Sequence, residues 1–240
     1  MMERRGLEYF KANWSWKGWK TIMDIIKEAN ASSIEATEIV VGLFSLGCRA
    51  MELPTLKKKQ VSFTTNKGYI TISNLLVQKQ KTRELVRDKD NKPIPDSEGN
   101  KQYVIMPKKA YRTFTFPQKE PTSKWFTAVY EGIDNDEDFL FPYNQKQQYY
   151  RLSLMGAEER GLDSVNKEKW NDYKSEYHSH LFRSLRACEM IRDYPQYRSL
   201  PILAKWFGWA DLTMPNEYLS LNTTDLIVPK EELSKVNYTY

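Results

Sequence analysis

Helical hydrophobic spacing marks both halves of the chain, and an alternating pattern separates them. After a basic, aromatic-rich lead-in, apolar residues at three- and four-residue steps predict a helix from about Trp19 to Ala29. Ser32 and Glu35 stand three apart as a capping box, whereas the same step from Ser33 reaches Ala36, which cannot return the hydrogen bond; the next helix is therefore expected to start at Ser32. Its run from Ile34 to Leu46 is apolar on one face and nearly all apolar toward Gly47, as in a core-crossing helix. Two-residue alternation then predicts a hairpin, Val61 to Phe63 and Tyr69 to Ile72 around Asn66-Lys67-Gly68, whose second strand continues through Asn74 to Thr82. Residues 87–102 are polar and contain Pro and Gly, an exposed loop, and strand character returns at Val104 to Met106 and Tyr111 to Pro117. Helical spacing resumes at Ser123 to Tyr130, at about Lys146 to Arg160, from His180 to Ile191 and from Leu200 to Phe207, the last closed by Gly208. Between the first two of these, Asn135 to Asp138 reads as a solvated acidic turn and Phe139 to Pro142 as a short apolar link. Segregated helices and strands predict an α+β fold, mainly helical, with a small antiparallel sheet or hairpin on one edge.

Composition narrows the class rather than the function. A chain of 240 residues has room for one or two domains with a buried core. The balance of 36 basic against 31 acidic residues gives a net charge of +5, compatible with a polyanionic partner without requiring one. Cys48 and Cys188 are the only cysteines, and with two histidines they show no metal-ligand spacing, so a reduced intracellular setting and no zinc site are expected. No apolar run approaches the ~20 residues that cross a bilayer, and no signal-peptide core is present, so a soluble protein with no membrane partner is expected. Gly42 and Gly47 do not make a P-loop, because Cys48-Arg49 stands where Lys-Ser/Thr is needed. Asp88 and Asp90, followed by Pro93, lack the glycine and terminal glutamate of a calcium loop.

The chemistry concentrates near the C-terminus. His180 and Arg183, three apart, fall on one helix face; Trp209 follows the glycine cap of the next helix; Tyr218 lies nine residues beyond it. A guanidinium to clamp phosphate, an imidazole, an indole N–H and a phenol point to attack of tyrosine on a phosphodiester. His180-Leu181-Phe182-Arg183, Phe207-Gly208-Trp209 and Tyr218 resemble the catalytic half of the tyrosine recombinases, the phage integrase family, with Phe207 where leucine is usual and the tryptophan variant of Cre-like and Flp-like members. An upstream arginine box completes the resemblance: Gly47-Cys48-Arg49-Ala50-Met51-Glu52-Leu53, with Cys48 in place of leucine. The likeness spans about residues 30–221, strong in the two boxes and weak between them.

What the resemblance implies is a tyrosine-recombinase catalytic domain, and with it a set of roles. Arg49 and Arg183 would hold the non-bridging phosphate oxygens, His180 would act as donor or base, Trp209 would brace the site, and Tyr218 would attack to leave a 3′-phosphotyrosyl link. A lysine on the hairpin would protonate the departing 5′ oxygen; Lys81 fits that position best, Lys79 next, with Lys108 and Lys109 as competitors in a long loop. Lys57, Lys58 and Lys59 would be phosphate contacts if their face meets DNA. No cofactor is implied. The partners implied are double-stranded DNA and further copies of the chain, a tetramer on DNA and a monomer free in solution, in DNA integration or recombination by a mobile element, virus or plasmid.

Three segments are expected: a lead-in or remnant linker over residues 1–30, a catalytic domain over 31–221, and a tail over 222–240 that docks on a neighbouring protomer or on its own domain. The family usually carries an N-terminal core-binding domain, for which 30 residues are too few, so a catalytic fragment or a minimal member is expected. Two rivals stand beside the recombinase: a telomere resolvase or type IB topoisomerase-like enzyme, and an inactive DNA-binding module of the same fold.

Overall fold

The computed structural model describes residues 21–64, 68–120, 122–159, 161, 177–194 and 199–219. Helix α1, Ile22–Ser32, opens on a reciprocal cap in which Thr21 Oγ1 accepts the Asp24 N–H and Asp24 Oδ2 accepts the Thr21 N–H, each at 3.2 Å. The expected start at Ser32 is corrected to Ser33. That residue is extended, its hydroxyl accepts the Ala36 N–H at 3.0 Å, and its own N–H closes α1 on Ala29 O. Ser32 is already the last turn of α1, and a cap must have a non-helical backbone. The acceptor bond to Ala36 suffices, because the return bond from a glutamate is an addition to a cap and not a condition for it.

Helix α2, Ile34–Leu46, runs through the core with ten of its thirteen residues buried, so apolar side chains cover it on all sides. Gly47 does not continue the helix but ends it as a left-handed C-cap with φ 51°. Two short 3-10 turns, Leu53–Thr55 and Lys58–Gln60, carry the chain to the sheet, whose first strand begins at Val61 as the alternation predicts.

The sheet has the order β1-β2-β3, all antiparallel: β1 Val61–Thr64, β2 Tyr69–Leu85 and β3 Tyr103–Pro117. Register runs from Val61 opposite Ile72, and Ile72 opposite Phe114, out to Leu85 opposite Tyr103. Irregularities fall between Ile72 and Leu75, where Asn74 takes φ 56°, and between Val77 and Gln80. The two separate strand segments expected around Lys108 and Lys109 are one strand. β3 is an edge strand, where Pro107 opposite Lys81 is tolerated without an N–H. Residues 87–102 are exposed, as the polar run predicts, and fold into two small turns bridged by Arg87 with Pro93 and Pro95 with Lys101.

Four further α-helices follow among the described residues before the last short one: α3 Ser123–Glu131, α4 Gln145–Glu159, α5 Ser179–Asp193 and α6 Leu200–Phe207. Helix α7, Thr213–Leu219, is a short helix with Pro215 in its first turn, in a stretch for which the hydrophobic pattern predicts no element. Helices α1, α3, α4 and α5 pack on α2, and α6 packs on β3. The sheet's inner face, Ile70, Ile72, Phe114 and Phe116, joins the helices through Trp206, whose ring centroid lies 4.5 Å from that of Phe114, and through Phe126, 5.4 Å from Phe116. The observed class is α+β, mainly helical, with a three-stranded antiparallel sheet. No described helix is long and apolar enough to cross a membrane. Residues 1–20 and 220–240, and with them the N-terminal tryptophans and the tail, lie outside the described residues.

Candidate active site

Two helices end against one another here. α2 stops at Gly47 and α6 at Gly208, both left-handed. Helix C-termini present unpaired carbonyls and the negative end of the helix dipole, so two such ends need donors or cations between them. Two buried arginines supply both. Arg112 donates Nη2–H to Leu46 O at 2.7 Å and Nη1–H to Trp206 O; Arg183 donates Nη1–H to Gly47 O at 2.5 Å and Nη2–H to Phe207 O at 2.6 Å. Consecutive carbonyls of one helix end are thus tied to consecutive carbonyls of the other. Each arginine is only 4% exposed.

Glu52 organises the turn after Gly47. Its Oε2 accepts the Arg49 N–H at 3.0 Å, its Oε1 accepts Arg49 Nη1–H at 2.9 Å, and Arg112 Nη2 stands 3.9 Å from Oε2. Glu52 is fully buried whereas the Arg49 side chain keeps 23% of its surface, so the carboxylate anchors a guanidinium that reaches the surface. Burial pulls the Arg112 guanidinium down to about 10, with Glu52 opposing the shift. The Cys48 thiol, fully buried beside Glu52, is pushed up to about 12 and stays protonated; it fills space and is no nucleophile.

Arg183 also lies over the rings of Phe207 and Trp209, 5.1 and 5.4 Å from their centroids, and those rings stack at 4.5 Å with an 18° tilt. Phe207, where the recombinase pattern has leucine, therefore gives Trp209 a flat surface to stack on. His180 sits on α5 one turn before Arg183 and is exposed, while Arg183 is covered. Three residues of helix leave two side chains about 60° apart, and the boundary between open and covered surface passes between them. His178, which the sequence reading did not single out, caps α5 by accepting the Leu181 N–H on Nδ1 at 3.2 Å. Tyr218 lies on α7, which follows α6 after the Gly208 cap; for this residue, and for Lys79, Lys81, Lys108 and Lys109, the structure describes backbone alone.

The lysines fall in two places. Lys81 and Lys79 are on β2, Lys108 opposite Gln80 and Lys109 on β3. Lys57 and Lys59 instead clasp the two oxygens of Glu137, at 2.9 and 2.6 Å, and hold that carboxyl down at about 2, while Lys58 donates to Ile133 O and lies over the Tyr130 ring. The structure therefore brings Arg183 and Trp209 together with the Gly47 end of the turn that carries Arg49, keeps His180 on the same helix as Arg183, and binds Lys57, Lys58 and Lys59 to the acidic turn at 133–138. Arg112 is the site residue the sequence reading passed over. Its signal was the inward alternation Arg112, Phe114, Phe116, which puts a guanidinium on the buried face of the sheet. Among the described residues no group of three or more His, Cys, Asp or Glu is arranged to hold a metal ion.

No family model matches the chain, and no curated protein matches it. Among solved structures it is similar to the crystal structure of XerA recombinase, at 17% identity and a TM-score of 0.45, covering 91% of this chain and 62% of that one. It is also similar to XerH site-specific recombinase bound to difH substrate in a pre-cleavage complex, at 17% identity and a TM-score of 0.42, covering 90% and 51%. The XerH post-cleavage complex with palindromic difH substrate gives the same identity and TM-score, with 89% and 50% covered. The chain thus spans between one half and about three-fifths of the length of these structures.

Proposed function

We propose that this chain breaks and rejoins DNA as a site-specific recombinase or integrase of the tyrosine recombinase type. The observation that carries the reading is the meeting of Arg183 with the Arg49 turn: its guanidinium bonds Gly47 O, two residues before Arg49, although 134 residues separate the two arginines. The box order that the sequence resembles is thereby matched by proximity in space.

In the proposed reaction the Tyr218 phenol passes its proton to His180 acting as base, or to water, and its oxygen attacks a backbone phosphorus. The P–O bond to the 5′ oxygen breaks, and Lys81 supplies a proton to that oxygen. Arg49 and Arg183 neutralise the charge that grows on the non-bridging oxygens, His180 assists as donor or base, and Trp209 braces Arg183 by stacking. Attack of a different 5′ hydroxyl on the 3′-phosphotyrosyl link reverses the step and exchanges strands, in a tetramer on two DNA sites. Neither a metal nor a cofactor takes part in any of these steps.

A duplex nicked near the cleavage position, so that the short fragment bearing the freed 5′ hydroxyl diffuses away, traps the covalent species. The expected result is an adduct at Tyr218 that Tyr218→Phe abolishes, with Arg49→Ala slowing its formation by about 10²-fold or more. One observation favours the second reading, an inactive DNA-binding module: Arg183 is nearly covered, with a backbone carbonyl on each terminal nitrogen. DNA binding without any adduct selects that reading. A hairpin product from a telomere-like substrate selects a resolvase.

A further inference from the structure

Arg112 takes no part in the reaction just described, yet it bonds the end of α2, which leads into the Arg49 turn, and the end of α6, which leads toward α7. We propose that Arg112 is a positioning residue, whose guanidinium sets the distance between the Arg49 turn and the helix that carries Tyr218. This rests on the recombinase reading for its purpose and on geometry for its content.

On one side Arg112 bonds Leu46 O, at the end of the helix that delivers Gly47 and Arg49, and faces Glu52, which holds both the Arg49 side chain and its N–H. On the other it bonds Trp206 O, at the end of α6, and its aliphatic stem lies against Gly208, where an added Cβ would stand 3.2 Å from Arg112 Cδ. Helix α7 begins only five residues after Gly208, so the place of its backbone follows from where α6 ends.

The two helix ends call for donors here, and supplying them with a guanidinium buried beside Phe114 and Phe116 carries a desolvation cost. Nε of Arg112 has no hydrogen-bond partner among the described residues, a further sign that the position is not optimised for stability. The strand itself is a firm base, since Asn74 N–H bonds Thr113 Oγ1 at 3.1 Å across the irregularity beside Arg112. What arginine provides is a fork able to reach two helix ends at once. A reacting atom misplaced by about 1 Å can cost about 10²-fold in rate, so the spacing matters to the chemistry more than to the fold.

Arg112→Lys keeps the charge without the fork, and Arg112→Met removes both. Each is compared with the unsubstituted chain for DNA affinity, for single-turnover cleavage of the nicked duplex at saturating DNA, and for a distance by dipolar electron paramagnetic resonance. Spin labels for that distance are placed through Met51→Cys and Asn216→Cys, both exposed, while the native Cys48 and Cys188 are buried. The expected result is an affinity changed by less than about 3-fold, cleavage slowed by about 10²-fold, and a distance that shifts or broadens in both variants. An unchanged distance in either folded variant overturns the proposal, and so does full-rate cleavage. Should the unsubstituted chain form no adduct, the recombinase reading fails separately, and the distance alone decides whether Arg112 sets the spacing.

Discussion

At position 47 the backbone must take φ 51° while touching two aromatic rings. A Cβ there would stand 2.6 Å from Phe207 Cε1 and 2.7 Å from Trp206 Cζ3, so alanine meets both a left-handed backbone and an overfilled core. The first costs about 1 kcal/mol and the second about 1–3, so Gly47→Ala is expected to lower unfolding free energy by about 2–4 kcal/mol in urea titration. Gly68 provides the comparison: φ is 67° but nothing lies within 4 Å of its Cβ position, and Gly68→Ala should cost only about 1 kcal/mol. Equal losses at the two sites would mean that the rings yield and that the α2–α6 junction is loose. This junction explains which residues were legible in the sequence. Arg49, Glu52, His180 and Arg183 announce themselves because each box is local and its residue types are unusual together. Arg112 does not, because its partners are backbone carbonyls at positions 46 and 206, and a carbonyl leaves no mark on sequence.

Elements were more legible than their ends. Hydrophobic period identified α2, the β1–β2 hairpin, α3 and α6 nearly to their limits, since burial on one face or on all faces is what the period records. Caps depend on single hydrogen bonds, and there the side-chain rule for Ser32 gave way to the backbone of α1, which is still helical at that residue. Ser33→Ala removes the acceptor for Ala36 N–H and is expected to cost about 1 kcal/mol, against less than about 0.5 for Ser32→Ala, whose hydroxyl has no partner among the described residues. Thermal unfolding of the two single variants checks this, and a larger loss at Ser32 would restore the sequence-based assignment. Helix α7 escaped the pattern for another reason: seven residues with a proline inside are too short to show a period, and its packing on α5 and α6 supplies what propensity does not.

Across the whole molecule, one buried ion pair joins the end of the sheet to the helix of the His-x-x-Arg box. Arg186 on α5 meets Glu120, just past β3, with Nη1–Oε2 and Nη2–Oε1 both at 2.8 Å, and both side chains are 2% exposed. Burial alone would lower the Arg186 pKa, but the Glu120 carboxylate more than offsets it and the pKa rises, so the guanidinium remains charged at any ordinary pH. The same guanidinium lies over the rings of Phe44, Phe116 and Trp206, which belong to α2, β3 and α6. No local pattern could reveal this, since the partners are 66 residues apart and each looks like a surface charge on its own. Glu120→Gln leaves a buried cation without its counter-charge and is expected to lower unfolding free energy by about 3 kcal/mol, or the melting temperature by about 6–12 °C. Glu120→Leu combined with Arg186→Met removes both charges, and it should recover most of that loss because packed apolar side chains avoid the desolvation of two ions. A double variant as unstable as Glu120→Gln would show instead that the pair's hydrogen-bond geometry, and not the balance of buried charge, holds the sheet to α5. Stability is measured on the unliganded chain, so this outcome is independent of whether Tyr218 reacts with DNA.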